Sequence, residues 1–192
     1  ALTAAATHAQ TYPNKPIRMI VPFPPGGGVD FMSRILGQKL NERLGQQVVI
    51  DNRAGANGNI GVELGARAVP DGYTLSLGTT STHAVGPGTN SKLSYDPIRD
   101  FAPLSLLGSS PYVLAVHPSV NASNVRDFIA LAKAKPGEIR YASAGNTSLA
   151  HLAGELFSSM AGVKLNHIPY KSSALSVVDL LAGRIELQFG SI

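Results

Sequence analysis

Hydrophobic positions alternate along the chain between short β-branched runs and longer segments with helical spacing. Ile17–Val21 is an apolar run typical of a strand. After it, apolar side chains recur at helical spacing up to Gly45, a natural C-terminal cap: Met32, Ile35, Leu36, Leu40 and Leu44. The pattern therefore predicts a strand over 17–21 and a helix over 30–44.

The same alternation continues to the end of the chain. It predicts further strands over 47–51, 73–78, 104–107, 112–116, 139–142, 164–168 and 185–189, and further helices over 60–68, 124–134, 149–160 and 172–182. Residues 86–103 are rich in Pro, Gly, Asn and Asp and are predicted to form a long connection. Two helices have an apolar side, formed by Ile60, Leu64 and Ala68 in the first, and by Leu149, Leu152, Ala153, Leu156, Phe157 and Met160 in the second.

Strands that alternate with helices predict an α/β fold with mostly parallel sheets flanked by helices. The series divides in two, so we expect a first lobe over 11–108 and a second over 109–192, with 1–10 as a tail. The last predicted strand has no closing helix after it. We therefore expect the second lobe to be incomplete.

Composition narrows the class of protein. The 192 residues are 44% hydrophobic and 15% charged, enough apolar material for a globular core. The net charge of +4 is scattered without a Lys/Arg cluster, so no nucleic-acid partner is expected. There are no cysteines, which excludes disulfides, thiolate metal sites and a cysteine nucleophile.

The N-terminus ALTAAATHAQ is dominated by small residues. Thr7-His8-Ala9 before Gln10 fits a small-x-small cleavage site, and predicts the remnant of a signal peptide on an exported protein. A cloning scar or a disordered terminus is the alternative.

Three segments that follow predicted strands share a composition: PFPPGGGVD, GTTSTHA and SAGNTS. Each offers backbone N–H groups, and the second and third also offer small hydroxyls. Helix N-termini favour anions, and ligands of open α/β sheets bind at the carboxyl ends of strands. No Lys or Arg lies in these segments, so a carboxylate held by neutral donors fits better than a polyphosphate.

Each segment also has a purely structural interpretation. Gly26–Gly28 could form a tight turn, with the prolines stiffening it and Asp30 as a helix N-cap. Thr79–Thr82 could be ordinary loop hydroxyls. Ser143, Thr147 and Ser148 could only cap the following helix.

Other chemistries lack their signatures. There is no G-x-x-x-x-G-K-[ST], and the glycines at 55, 58 and 61 are spaced G-x-x-G-x-x-G rather than G-x-G-x-x-G. Ser143 resembles the serine of a nucleophile elbow, but Tyr141 stands where G-x-S-x-G needs glycine. His83, His117, His151 and His167 have no partner that the sequence identifies, and no metal site or cofactor is expected.

Several longer stretches resemble the Bug family, the extracytoplasmic solute-binding receptors of tripartite tricarboxylate transporters. They are YPNKPIRMIVPFPPGGGVD, LGQQVVIDNRAGANGNIG, PDGYTLSLGTTSTHA, SYDPIRDFAPLSLLG and HLAGELFSSMAGVKLNHIPYK. The resemblance runs from Tyr12 to about Phe189, in the family's order. It implies a two-lobed, type II periplasmic-binding fold whose C-terminal part is missing here, because the family's chains are longer.

The resemblance also implies which residues bind the ligand. The first loop would contribute Phe23, Pro24, Pro25, Gly26, Gly27, Gly28 and Asp30; the second Thr79, Thr80, Ser81, Thr82 and His83; the third Ser143, Ala144, Gly145, Asn146, Thr147 and Ser148, with His151 nearby. One departure is Ser172-Ser173, where the family commonly has Gly-Gly.

The resemblance implies a periplasmic receptor that delivers a small carboxylate, bound between its lobes, to membrane permease subunits, and we expect a monomer that is not an enzyme. The absence of Lys and Arg from the loops favours a mono- or dicarboxylate. A serine hydrolase that uses Ser143 and a ligand sensor for a membrane kinase are the alternatives.

Overall fold

The computed structural model describes residues 12–191, so the predicted signal-peptide remnant at 1–10 lies outside the described residues. The strands are β1 Ile17–Val21, β2 Val48–Asn52, β3 Thr74–Ser76, β4 Tyr112–Val116, β5 Arg140–Ser143, β6 Asn166–Pro169 and β7 Leu187–Ser191. The α-helices are α1 Gly28–Leu44, α2 Asn59–Ala66, α3 Gly86–Thr89, α4 Val125–Ala134, α5 Leu149–Ala161 and α6 Ser173–Leu181. Ala56–Gly58 form a 3₁₀ turn, and Ser81–Val85 form a π-helix.

Two sheets organise the molecule, and the predicted α/β class with mostly parallel sheets is confirmed. The first sheet has the order β2-β1-β3 and is parallel throughout. The second has the order β4-β7-β5-β6, in which only β4 is antiparallel to its neighbour. We call the first sheet with α1–α3 the first half, and the second sheet with α4–α6 the second half. The predicted lobe boundary at 108 falls between them and stays a prediction.

Each sheet has its own hydrophobic core. In the first half Ile17, Met19 and Val48 are buried beneath α1, whose small Gly37 faces the side chain of Ile50. In the second half the core contains Phe128, Tyr141 and Leu187. Separate cores make each sheet a stable platform for the loops at its strand ends.

Most predicted elements are confirmed with boundaries shifted by one or two residues. Gly45 ends α1 in the left-handed conformation as predicted, and its N–H donates to Asn41 O at 3.1 Å. The predicted strand over 104–107 is wrong: 102–111 has no regular structure, and Leu104 and Leu106 are 81% and 84% exposed. No strand within residues 12–191 pairs with this segment, so its apolar side chains stay exposed.

The predicted helix faces need correction as well. In α2 the buried residues are Gly61 and Val62, whereas Ile60 is 54% exposed. In α5 Leu156 and Met160 are exposed, but Ala153 and Phe157 pack against the core as predicted, beside the buried Ala150 and Gly154. A Cβ at Gly61 would lie 2.6 Å from Arg53 O and one at Gly154 would overlap the ring of Tyr141, so larger residues do not fit at these two positions.

Candidate functional site

The first loop, residues 23–28, joins β1 to α1. Pro22 ends β1 because proline has no N–H to continue the ladder. Gly26 turns the chain with a φ of 86°, and Gly27 is the N-cap of α1. Asp30 is therefore not the N-cap that its position suggested. The first-turn N–H groups of α1 have no acceptor within the helix, so this end of α1 carries partial positive charge.

Asp30 is buried beneath this loop, and its carboxylate is occupied by groups of the same half. Oδ2 accepts from Gly26 N–H at 3.0 Å and from Arg34 Nε at 2.9 Å, while Oδ1 accepts from Asn52 Nδ2 at 2.9 Å. The hydrogen bond from Arg34 is the main reason that the pKa of Asp30 falls to about 2. Asp30 thus stabilises the conformation of the first loop through hydrogen bonds within the first half.

Asn52, which the sequence analysis did not identify, links β2 to the first loop by hydrogen bonds. Its Nδ2 also donates to Phe23 O at 3.0 Å. Its only sequence signal was its place at the end of a strand beside the glycine-rich stretch.

The second loop, residues 79–83, is largely helical rather than irregular, because the π-helix begins at Ser81. Thr82 is fully buried, and its Oγ1 accepts from Thr79 N–H at 3.1 Å. The ring of His83 lies 5.1 Å from that of Phe101, and burial lowers its pKa. Thr82 and His83 therefore form the inside of this loop, while Thr80 and Ser81 lie nearer its surface.

The third loop, residues 143–148, joins β5 to α5. Ser143 is fully buried, and its Oγ accepts from Gly145 N–H at 3.1 Å and lies 2.6 Å from His167 Nε2. Ser148 is the N-cap of α5 and accepts from His151 N–H at 3.3 Å. Ala144 to Thr147 form the more accessible part.

His151 and His167 support the third loop from below. His151 Nδ1 accepts from Thr147 N–H at 3.1 Å, which makes His151 an anchor of the loop. Its ring stacks on that of His167 with 4.0 Å between centroids. The pKa of His167 is lowered mainly by burial and further by the neighbouring His151.

The three loops converge from the two halves. Leu149 N–H donates to Ser81 Oγ at 3.3 Å, and Asn57 Nδ2 donates to Thr147 Oγ1 at 3.0 Å. A Cβ added at Gly27 would lie 3.8 Å from Ser173 Oγ, so the first loop faces the start of α6. A cavity of about 310 Å³ lies where the second and third loops meet, with amide and hydroxyl side chains in its lining: Asn57, Asn59, Ser81, Thr89, Asn90 and Thr147. Of the predicted site residues only Ser81 and Thr147 line this cavity, and the first loop does not contribute to it.

A larger and more open depression of about 490 Å³ lies at the opposite end of the first sheet. Its charged groups are already paired, with Lys15 Nζ 3.2 Å from Asp71 and Arg18 2.5 Å from Asp51. Within residues 12–191 no group of His, Asp and Glu side chains could hold a metal ion. In the same range every helix is too short or too polar to cross a membrane. The junction of the three loops is thus the candidate site.

Comparison with known proteins agrees with this architecture. BugT of Bordetella pertussis is 46% identical over 181 residues, which cover 94% of this chain and 56% of BugT. The structure of R. palustris Rpa4515 with adipate matches with a TM-score of 0.91 at 36% identity, over 94% of this chain and 60% of that one. MatC from Rhodopseudomonas palustris with bound malate matches with a TM-score of 0.86 at 26% identity, over 94% and 61%.

The chain therefore spans less than two thirds of the length of these relatives. The family model described as the tripartite tricarboxylate transporter family receptor matches residues 32–192. The resemblance seen in the sequence is confirmed, and this chain belongs to the Bug family of tripartite tricarboxylate transporter receptors.

Proposed function

We propose that the protein is a periplasmic solute-binding receptor that captures a small carboxylate between its two halves and delivers it to membrane permease subunits. The observation that carries the proposal is the placement of three loops at the carboxyl ends of two sheets, where all three offer backbone N–H groups and the second and third also offer hydroxyls. The second loop meets the start of α5 through the hydrogen bond from Leu149 N–H to Ser81 Oγ. Such neutral donors bind a carboxylate by direct or water-mediated hydrogen bonds.

The ligand class follows from the lining. None of the three loops contains Lys or Arg, so the site suits one or two carboxylate groups better than three. Adipate and malate, which the two similar structures hold, are dicarboxylates and agree with this class.

The predicted site residues then take two roles. Those that would face the ligand are Phe23, Pro24, Pro25, Gly26, Gly27, Gly28, Thr79, Thr80, Ser81, Ala144, Gly145, Asn146 and Thr147. Those that would hold the loops in shape are Asp30, Thr82, His83, Ser143, Ser148 and His151. The division rests on the burial and the internal hydrogen bonds of the second group.

A thermal-shift screen of the full-length protein tests the proposal. Adipate, malate, aromatic acids and amino acids form the panel, and a ligand at a hundred times its dissociation constant adds about 2.7 kcal/mol of stability. That corresponds to a rise in the unfolding midpoint of a few degrees. A clear shift with a carboxylate supports the receptor. A flat panel on folded protein, with no ligand found by mass spectrometry after denaturation, contradicts it.

The hydrolase alternative has one observation in its favour, the 2.6 Å between Ser143 Oγ and His167 Nε2. Ser143 is fully buried, however, and the nearby Glu155 accepts from Tyr141 OH at 2.6 Å rather than orienting His167. We expect no turnover of generic esters. An activity that Ser143→Ala abolishes would support the hydrolase. The sensor alternative is tested by a ligand-dependent pull-down from membranes that contain either a permease or a kinase.

A further inference from the structure

Backbone strain within residues 12–191 is concentrated at one place. The non-glycine residues with positive φ are Ala56, Asn57 and Thr147, at 47°, 57° and 63°. Such angles are uncommon, and for a β-branched residue such as Thr147 they are true outliers. Residues of this kind persist only where surrounding contacts hold them, and they cluster at functional sites.

The strained residues come from different halves and meet. Asn57 precedes α2 in the first half, and Thr147 lies in the third loop of the second half, ninety positions away. Asn57 Nδ2 donates to Thr147 Oγ1 at 3.0 Å and also to the backbone oxygen of Asn146. One side chain therefore holds both a side chain and the main chain of the opposite loop.

The opposite loop is shaped to receive this amide. A Cβ at Gly145 would lie 2.5 Å from Asn57 Oδ1, so only glycine leaves the amide room there. Gly145 has a φ of 117°, which glycine adopts without strain. Thr147 and Gly145 thus present a pocket for the amide, and Ser81 accepts from Leu149 N–H beside it.

We propose that Asn57 is a latch between the two halves: its amide stabilises the closed arrangement of the loops and thereby slows release of the ligand. The proposal rests on the proposed receptor function, because a latch matters where a cleft opens and closes. Closure raises apparent affinity in proportion to the closed fraction. One hydrogen-bonding side chain of ordinary strength would change the dissociation rate about three- to tenfold.

The variant Asn57→Gly tests the role of the amide as a latch separately from the role of residue 57 in its own turn. Glycine adopts positive φ readily, so the variant keeps the backbone and removes only the amide. Thr147→Val removes one acceptor with the same shape. Asn121→Gly is the matched control: it removes an exposed amide near the end of β4, where Val116 pairs with Leu187 at the opposite end of the second sheet.

Closure can be measured without any ligand. The chain has no cysteine, so Gln38→Cys and Lys133→Cys, at exposed positions on α1 and α4, accept spin labels at one site in each half. In the full-length protein, we expect Asn57→Gly to broaden and lengthen the label distance. Dissociation of adipate or malate should become three- to tenfold faster. Thr147→Val should change the label distance and the dissociation rate in the same direction as Asn57→Gly. Asn121→Gly should change neither the label distance nor the dissociation rate.

An unchanged label distance and dissociation rate in folded Asn57→Gly would overturn the latch. A lower unfolding midpoint with an unchanged label distance would also overturn the latch, because Asn57 would then stabilise only the turn in which it lies. Failure of the wild-type protein to bind any carboxylate would contradict the receptor function. The label distances of wild type and Asn57→Gly would still decide whether the amide holds the halves together.

Discussion

Gly27 lies where the first loop faces the second half, since a Cβ there would be 3.8 Å from Ser173 Oγ. Its backbone is extended, with φ −88° and ψ 169°, so other residues can adopt its conformation. A side chain there would point toward Ser173 across the cleft. Glycine at this position keeps the space between the loops open.

We predict that Gly27→Leu abolishes measurable carboxylate binding while the protein still folds. Loss of a favourable N-cap residue costs at most about 1 kcal/mol. Titration calorimetry with adipate and malate measures binding, and the urea midpoint measures stability. Gly88→Leu is the control, since a Cβ at Gly88 meets nothing within 4 Å. Normal binding by Gly27→Leu would remove the first loop from the site.

Asp30 supports the first loop through charge. Its pKa falls from 3.8 to about 2 in the folded protein, so folding favours the ionised form. The associated stability is present above the unfolded pKa of 3.8 and is lost as pH falls through about 2. The difference corresponds to about 2 kcal/mol.

Asp30→Asn should therefore destabilise the protein by about 2 kcal/mol at neutral pH, and the deficit should shrink toward pH 2. Urea unfolding at several values of pH measures it. Glu138→Gln, which changes an exposed carboxylate, serves as control. A deficit that stays constant over this range would mean that Asp30 acts by packing rather than by charge.

At the scale of elements, periodicity was sufficient to predict most strands and helices. Ile17–Val21 and Tyr112–Val116 have the predicted bounds, because short apolar runs bounded by prolines are typical of strands. The π-helix at Ser81–Val85 could not be predicted, because its small and polar residues are also typical of a loop. Tyr95 fixes it from a distance, through its hydroxyl, which donates to Thr82 O at 2.8 Å.

The role of the three loops in ligand binding stays a prediction, and of their predicted residues Ser81 and Thr147 line the cavity. Sequence reasoning identified the loops by their composition. It did not single out Asn57, although Asn-Gly is a turn signal and asparagine tolerates positive φ. The reason is physical: the partners of Asn57 lie about ninety positions away, and local patterns carry no information on such contacts.

Gly61 allows α2 to approach the chain that follows β1 and β2. A Cβ there would lie 2.6 Å from Arg53 O and 2.7 Å from Pro22 Cα, both backbone atoms that cannot turn away. We predict that Gly61→Ala destabilises the protein by about 3 kcal/mol, at the upper end of overpacking effects. The urea midpoint measures this change.

Gly88→Ala makes the same substitution in a helix with open space around the Cβ, and should be neutral or slightly stabilising. Equal effects of the two substitutions would show that helix propensity, not the contact with Pro22, governs position 61.

At the scale of the whole molecule, the positive charge of the protein is not located in the loops of the candidate site. The net charge of +4 is spread over the surface, and the three loops contain no basic residue. Arg34, which reaches toward the first loop, is paired with Asp30 at 2.9 Å. We therefore expect the proposed binding of an anion to depend on short-range hydrogen bonds and on the N-terminus of α1, not on an ion pair.

Salt dependence of binding distinguishes these two modes. Between about 0.05 and 0.5 M NaCl the screening length falls from roughly 14 to 4 Å, which weakens contacts with exposed charges but hardly affects enclosed hydrogen bonds. We predict that the affinity for adipate or malate falls less than about threefold over this range. A tenfold loss would place a cation in the site. Lys171 would be the first residue to examine, because it is exposed and follows Tyr170, whose N–H donates to Ser143 O at 2.9 Å. In that case Lys171→Gln would remove the salt dependence, whereas a site of neutral donors leaves Lys171→Gln and wild type with equally flat salt profiles.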